Sequence, residues 1–430
     1  MIITFLAALV TPATSTFIVK PYLQLGTNPG PGRITAVWHV PKGASSEPVT
    51  IGGQTWKAPI SRRVISGTGL PPYEIRAVEF TDLLPGRTYR YSIGGESHTF
   101  VAPRGPKEDF RFVVLGDPGE NSAGQRAIAY QLGLRKPDFV LVVGDIVYPH
   151  GRASEYRERW FPIMNSPAPS PKTGTKILSE VLTVGVAGNH DTAYRNLNRY
   201  PDGLAFYTHW WQPATGPKVA ARITGNAGPL RDALGREFDH QGNFSFWYGR
   251  ANFIVLDSNT YVNWKAEANR SWLRKELAAA KQRGGPILVS FHHAPYHSSK
   301  KKEDERYMTS ITDLLTEFKV PLVFSGHVHN YQRSKPVAMV GGKEAIDNRF
   351  NGTTVKTSNG TVFVVTGGGG APLYDQKLAQ SPGSWKPFTQ VYKKGYSFTE
   401  VTVRENEILV QQMGTKGEII DRFSVGVPGP

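Results

Sequence analysis

Apolar positions fall along this chain in two rhythms. Between about residues 18 and 104 they alternate with polar positions in short runs: RITAVWHV (Arg33–Val40), YEIRAVEF (Tyr73–Phe80) and RTYRYSI (Arg87–Ile93). The turn-forming stretches GTNPGPG, GTGLPP and LLPGR separate them. Period-two alternation broken by Gly and Pro predicts short antiparallel strands. Together they make a small all-β sandwich of fibronectin type III or immunoglobulin kind, placed over residues 18–105. A polar linker, PRGPKED (Pro103–Asp109), follows.

Beyond the linker the runs become continuously apolar, the mark of strands buried on both faces. They read FVVLGD (Phe112–Asp117), DFVLVVGD (Asp138–Asp145), VLTVGVAGNHD (Val181–Asp191), FIVLDS (Phe253–Ser258), PILVSFHH (Pro286–His293) and PLVFSGHVH (Pro321–His329). Helical patterns lie between several of them, at Ser122–Arg135, Arg270–Gln282 and Thr309–Phe318. Strand, helix and strand in succession from Phe112 predict a βαβ unit. Residues 106–430 therefore read as one α/β domain of β-sheets flanked by helices. TVFVVTGGGG (Thr361–Gly370), YSFTEVTV (Tyr396–Val403) and EILVQQM (Glu407–Met413) predict antiparallel strands that close it. Residues 192–245 are rich in Trp and Gly and weakly periodic, so they read as an extended loop region that ends in a hairpin.

Composition narrows the chemistry. A chain of 430 residues, 39% hydrophobic and 20% charged, suits a folded protein of two or three domains. No internal apolar run reaches the roughly 18 residues of a membrane helix. With no cysteine, disulfides, Cys-ligated zinc, iron–sulfur clusters and thiol catalysis are all excluded. Any metal must be held by His, Asp, Glu, Asn or Tyr. The net charge of +15 is spread along the chain and favours anionic substrates such as phosphate esters. No basic motif interleaved with aromatics points to nucleic acid. The N-terminal MIITFLAALVTPATSTF has an apolar stretch, Ile2–Val10, followed by small residues. It predicts a signal peptide over residues 1–17 and a secreted or extracytoplasmic protein, although no Lys or Arg precedes the apolar stretch.

The polar residues that matter sit where the apolar runs stop. Asp117 ends the first run and Asp145 the second, with Tyr148 just beyond; Asn189, His190 and Asp191 end the third. His292 and His293 end PILVSFHH, and His327 and His329 end PLVFSGHVH. The carboxyl edge of an α/β sheet is where ligands bind, so these clusters should converge in one crevice. Any one block alone is ordinary turn chemistry. Five strand ends each delivering metal-type ligands are not.

Those five blocks resemble the metallophosphoesterase (calcineurin-like) superfamily, and within it the purple acid phosphatase branch with its GDxG, GDxxY, GNH[DE], VxxH and GHxH motifs. Here they stand as Gly116-Asp117-Pro118-Gly119, Gly144-Asp145-Ile146-Val147-Tyr148, Gly188-Asn189-His190-Asp191, Val289-Ser290-Phe291-His292 and Gly326-His327-Val328-His329. The resemblance spans about residues 110–333 and extends to the N-terminal sandwich.

The resemblance implies a binuclear metal centre. Asp117, Asp145, Tyr148 and His329 take the place of the ferric site, and Asp145 (bridging), Asn189, His292 and His327 that of a divalent site for Zn, Mn or Fe(II). Hard oxygen donors on the first suit Fe(III), and the mixed set suits the second. Gly119 stands where many relatives have a ligand histidine, and Tyr148 supplies a phenolate instead. The register of the VxxH block selects His292 over His293 as the ligand, leaving His293 just behind the ligands or near the substrate. The activity implied is hydrolysis of phosphate monoesters by water activated between two cations. His190 is then a candidate acid or charge stabiliser oriented by Asp191, and Asn189, His190, His293 and His297 are candidate substrate contacts. Lys300, Lys301 and Lys302 occupy the loop where the branch often places substrate-side histidines. A phosphodiesterase of the same fold fits the motifs equally well. A non-catalytic phosphate-ester binding protein would have lost ligands.

Overall fold

The computed structural model describes residues 17–192, 196–219, 223–353 and 359–427. The stretch read as a signal peptide lies outside these residues except for Phe17.

The alternating runs of the N-terminal part form eight strands: Val19–Gln24, Ile34–Pro41, Val49–Ile51, Gln54–Thr55, Ser61–Ile65, Tyr73–Phe80, Thr88–Ile93 and Glu96–Val101. They pair antiparallel in two layers, the first, second, fifth and sixth in one and the remaining four in the other. Trp38, Phe80, Tyr91 and Phe100 lie in the core cluster that the two layers share. This is the all-β sandwich that the alternation predicts.

The continuous apolar runs that follow build two facing sheets, the first of them continuous with one layer of the sandwich. The first carries the parallel strands Phe110–Leu115, Phe139–Val142 and Leu182–Gly185, with the antiparallel strands Ser397–Val403, Glu407–Gly414 and Ile419–Gly426 on one side. The second runs Phe244–Tyr248, Ala251–Val255, Ile287–His293, Leu322–Gly326, Val362–Thr366, Tyr331–Ser334 and Thr389–Lys393. Successive side chains of a strand point to opposite faces, so each run supplies two layers at once. Phe112, Val114, Phe139 and Leu141 of the first sheet share one core with Phe253, Leu288, Phe324 and Val364 of the second. The Phe112 and Phe139 rings stack at 4.8 Å. On the outer faces, Val113, Leu115 and Val140 lie under the helix Ala123–Leu134, whose first turn is capped by the Ser122 hydroxyl accepting the Gln125 amide. Val289, Val323 and Phe363 lie under the helices Glu267–Arg283 and Thr312–Glu317. The layers are helix, sheet, sheet, helix.

Two expectations change. Thr361–Gly370 does not join the closing antiparallel strands: Val362–Thr366 pairs parallel with Leu322–Gly326 in the middle of the second sheet. Its unbroken apolar run reflects that central position. The region 192–245 includes the short helices Ala205–His209 and Gly228–Leu234 among its described residues, and it ends in the expected hairpin, Phe244–Tyr248 with Ala251–Val255.

The sandwich and the α/β part are joined edge to edge. Val19–Gln24 pairs parallel with Leu182–Gly185 at Gln24 and Thr183, and the Leu23 amide donates to the Leu178 carbonyl at 2.7 Å. One ten-stranded sheet therefore runs through both parts. The seam is also stitched by side chains. The Tyr22 hydroxyl donates to the His209 carbonyl at 2.9 Å, the Tyr91 hydroxyl to the Ser179 carbonyl at 2.8 Å and Arg63 to the Thr208 carbonyl at 2.9 Å. No helix among the described residues is long and apolar enough to cross a membrane.

Candidate metal centre

All five blocks meet at the carboxyl edge shared by the two facing sheets. The first sheet delivers Asp117, Asp145, Tyr148 and Asn189; the second delivers His292, His327 and His329. The backbone turns sharply at three of these strand ends, where Asp117 (φ 56°), Asp145 (φ 50°) and His327 (φ 67°) sit in the left-handed region. That conformation is unfavourable for a residue with a Cβ, and it clusters at functional sites. The glycine before Asp145 is required by crowding: a Cβ on Gly144 would collide with Nδ1 of His292.

The side chains form two groups that share one carboxylate. Asp117, Asp145 and His329 bring their ligand atoms within 4.8 Å of one another, as do Asp145, His292 and His327. In the first group the Tyr148 hydroxyl donates to Asp117 Oδ1 at 3.0 Å and lies 3.1 Å from His329 Nε2. In the second, His292 Nε2 lies 3.3 Å from Asp145 Oδ2, 3.1 Å from Asn189 Oδ1 and 3.3 Å from His327 Nδ1. Asp117, Asp145, His292 and His327 are all buried.

Each imidazole is held from behind by an oxygen. His292 Nδ1 donates to the Val143 carbonyl and His329 Nδ1 to the Pro372 carbonyl, both at 2.9 Å. His327 turns Nε2 to Glu305 Oε2 at 2.5 Å. A proton fixed on the rear nitrogen leaves the front lone pair for a cation, as in metal-ligating histidines generally. This donor set fits two cations: oxygens of Asp117, Asp145 and Tyr148 with one nitrogen on one side, and two nitrogens with the oxygens of Asp145 and Asn189 on the other.

The electrostatics follow the same division. Burial works to raise Asp145, but His292 outweighs it and holds the carboxyl well below the usual range. Burial opposes charge on His292, yet Asp145 prevails and pushes it up to about 9. Burial, followed by Asp117 and Asp145, raises the Tyr148 phenol well above its ordinary value.

Two candidates, Asp191 and His297, behave differently from expectation. Asp191 accepts from the backbone amides of Gly188 at 2.9 Å and Ile146 at 3.2 Å, whereas His190 sets its Nδ1 2.8 Å from the Pro149 carbonyl. Asp191 thus braces the turn that carries Asn189, and a backbone oxygen orients His190. The spacing that makes the two residues sequence neighbours points their side chains apart. His297 is 1% exposed and its Nδ1 accepts the Ser299 amide, so its ring faces protein rather than an open crevice. His293 is also buried, with Nδ1 2.9 Å from the Ser258 hydroxyl and its ring 4.4 Å from that of His327. It stands behind the second group. His190 is half-buried, its ring 4.5 Å from that of Tyr148.

Sequence reasoning missed Glu305, Tyr374 and the glycine run Gly367–Gly370. Tyr374 donates its hydroxyl to the His327 carbonyl at 2.5 Å and lays its ring 4.7 Å from that of His329. The Lys301 ammonium caps the Tyr374 ring at 4.3 Å. The glycine run packs on the Asp117 turn, where a Cβ on Gly367 would lie 2.8 Å from Asp117 Oδ2 and collide with the Val328 carbonyl. Four consecutive glycines after a buried strand were the available signal.

The description of calcineurin-like phosphoesterases matches residues 110–331, just over half of the chain. The chain belongs to the calcineurin-like phosphoesterase family. Its relatives within that family include a protein named probable inactive purple acid phosphatase 27 of Arabidopsis thaliana, 25% identical over 395 residues that cover 82% of this chain and 58% of the relative. The Fe(3+)-Zn(2+) purple acid phosphatase 12 of the same plant is 24% identical, covering 66% and 56%. A nucleotide pyrophosphatase/phosphodiesterase of Hordeum vulgare is 24% identical, covering 77% and 88%. The chain thus spans little more than half the length of the two Arabidopsis relatives. The purple acid phosphatase PPD1 from yellow lupin seeds has the same fold, with a TM-score of 0.67 at 20% identity over 94% of this chain and 74% of that one. That likeness runs through both the sandwich and the α/β part of this chain and leaves about a quarter of the lupin protein unmatched.

Proposed function

We propose that this calcineurin-like phosphoesterase is a binuclear metal-dependent hydrolase of phosphate monoesters, with Fe(III) and a divalent cation (Zn, Mn or Fe(II)). The observation that carries the reading is the complete ligand set, gathered into two groups that share Asp145. A relative named inactive makes that completeness the point to test, because a degenerate site loses ligands.

Asp117, Tyr148 and His329 would hold one cation and Asn189, His292 and His327 the other, with Asp145 between them. When bound, such a pair lowers the pKa of water and neutralises charge on a phosphoryl group. The chain's own work is positional. The Pro149 carbonyl pins the His190 ring through Nδ1, and His190 is the side chain we assign to a phosphoryl oxygen or leaving group. Asp191 fixes the backbone beneath Asn189 and His190. No covalent nucleophile is needed.

A phosphodiesterase is the second reading, favoured by the name of the barley relative. Hydrolysis of an aryl monoester and the matching bis-aryl diester, measured side by side from pH 4 to 9, separates the two. A dominant monoesterase with an acidic optimum supports the proposal. A dominant diesterase moves the function to the second reading, and protein that takes up no metal overturns both. The apolar N-terminal stretch supports export, and a mature N-terminus near residues 15–20 in the native host is the test.

A further inference from the structure

The three imidazoles of the cluster are held from behind in two different ways. Backbone carbonyls hold His292 and His329, but a side chain, Glu305, holds His327. Glu305 arrives on the polar loop that follows the His292 strand. That loop is tied down by a turn between the Lys302 carbonyl and the Glu305 amide at 3.0 Å, and by Arg306 Nε donating to the Pro295 carbonyl at 2.7 Å. One carboxylate oxygen meets His327 Nε2 and the other takes the Lys302 ammonium at 3.1 Å. The carboxylate is thereby aimed at the ring, although 39% of the Glu305 side chain is open to solvent.

His327 needs this more than its neighbours do. It occupies the left-handed region, and its ring must present Nδ1 rather than Nε2 to the His292 side, where the nitrogens lie 3.3 Å apart. A neutral imidazole carries its proton on either nitrogen, and the proton is harmless only on Nε2. A carboxylate at Nε2 makes that choice and makes the opposite nitrogen a stronger donor.

His293 completes a third group with Glu305 and His327, whose ligand atoms also lie within 4.8 Å of one another. This group is not a further cation site. The Lys302 ammonium already occupies one Glu305 oxygen. The Ser258 hydroxyl accepts the amides of both His292 and His293, so its own proton goes to His293 Nδ1 and the His293 proton stays on Nε2. A cation at Nε2 would have to displace that proton and break the Ser258 contact at Nδ1.

We infer that Glu305 is a positioning residue that fixes the Nε2–H tautomer of His327 and so sets the affinity of the divalent site without touching the ferric one. The inference rests on the binuclear reading above. The test uses full-length wild type, Glu305→Gln and Glu305→Ala. Zinc binding to the iron-loaded protein reads the divalent site, iron content reads the other, and nitrogen-15 NMR of the metal-stripped protein reads the His327 tautomer directly. Glu305→Ala should weaken zinc about 10–100-fold, the range seen on removing such partners, and leave iron content unchanged. Glu305→Gln, which keeps an acceptor oxygen, should recover part of that loss. Wild-type zinc affinity in Glu305→Ala, equal loss of both metals, or an Nδ1–H tautomer in the wild type overturns the inference. Should the wild type bind no metal at all, the binuclear reading fails, and the tautomer measurement still judges Glu305.

Discussion

The Tyr148 hydroxyl and the Asp117 carboxylate, carried on the loops after two adjacent parallel strands, meet at 3.0 Å with His329 Nε2 3.1 Å from the same hydroxyl. The contact places a phenol, a carboxylate and an imidazole around one point, a donor set richer in oxygen than that of the neighbouring group. Tyr148→Phe removes the phenol and little else. The iron-loaded variant should lose its visible absorption, and the protein should lose about 1 kcal/mol of stability with the donor to Asp117. An unchanged spectrum and iron content would remove Tyr148 from the ligand set.

His190 touches the rim of the cluster through ring packing on Tyr148. If it handles a proton or a developing charge, His190→Ala should lower kcat roughly 10²–10⁴-fold with both metals retained. Turnover and metal content measured on the same preparation decide this, and full activity would leave His190 a packing residue.

Asp191 has a different consequence. Replacing it with Ala leaves the buried Gly188 and Ile146 amides without the carboxylate oxygens that now accept them. The cost should be about 1–3 kcal/mol, and metal should be lost from the site that includes Asn189. Urea unfolding and metal analysis measure the two effects.

Gly367→Ala drives a methyl group toward Asp117 Oδ2 and the Val328 carbonyl. The variant should fold with a loss of about 1–3 kcal/mol, and iron content should fall more than zinc content. Equal retention of both metals would show that the glycine run is not the floor of the site.

The seam between the two parts of the chain should be acid-sensitive. His39 and His209 are fully buried, with rings 4.7 Å apart, and burial lowers both well below their ordinary values. His209 and Arg157 lower His39 further, and Arg157 and Arg63 lower His209. A histidine that stays neutral in the fold takes up its proton only on unfolding. Its contribution is therefore complete above pH ~6.5 and is lost as pH falls below that, at about 1.4 kcal/mol per pH unit for each ring. Urea unfolding at pH 7, 6 and 5 should show the slope, and His39→Gln or His209→Gln should flatten it.

The chain announces most of this site before it is folded, for a physical reason. A strand buried on both faces has no polar positions to spare, so the first polar residues after it mark the edge of the sheet. Asp117, Asp145, His292 and His327 are legible in that way. Which sheet each strand joins is not, because Phe112 and Phe324 look alike in sequence whether they lie side by side or face each other across a core. Glu305 hides in a loop of lysines and acids where charge is the background. Asp191 misleads because adjacency in sequence says nothing about where a side chain points once the backbone has turned.

The shared sheet also limits how this protein can be cut or recombined. Leu182–Gly185 finds its neighbour in Val19–Gln24, so a fragment begun at the Pro103–Asp109 linker would expose a raw strand edge of the kind that invites aggregation. A chimera exchanging the first hundred or so residues for those of a distant relative would have to match the Gln24–Thr183 register, the Tyr22–His209 contact and the Arg63–Thr208 contact at once. The linker that looks like a natural breakpoint in the sequence is therefore the wrong place to break.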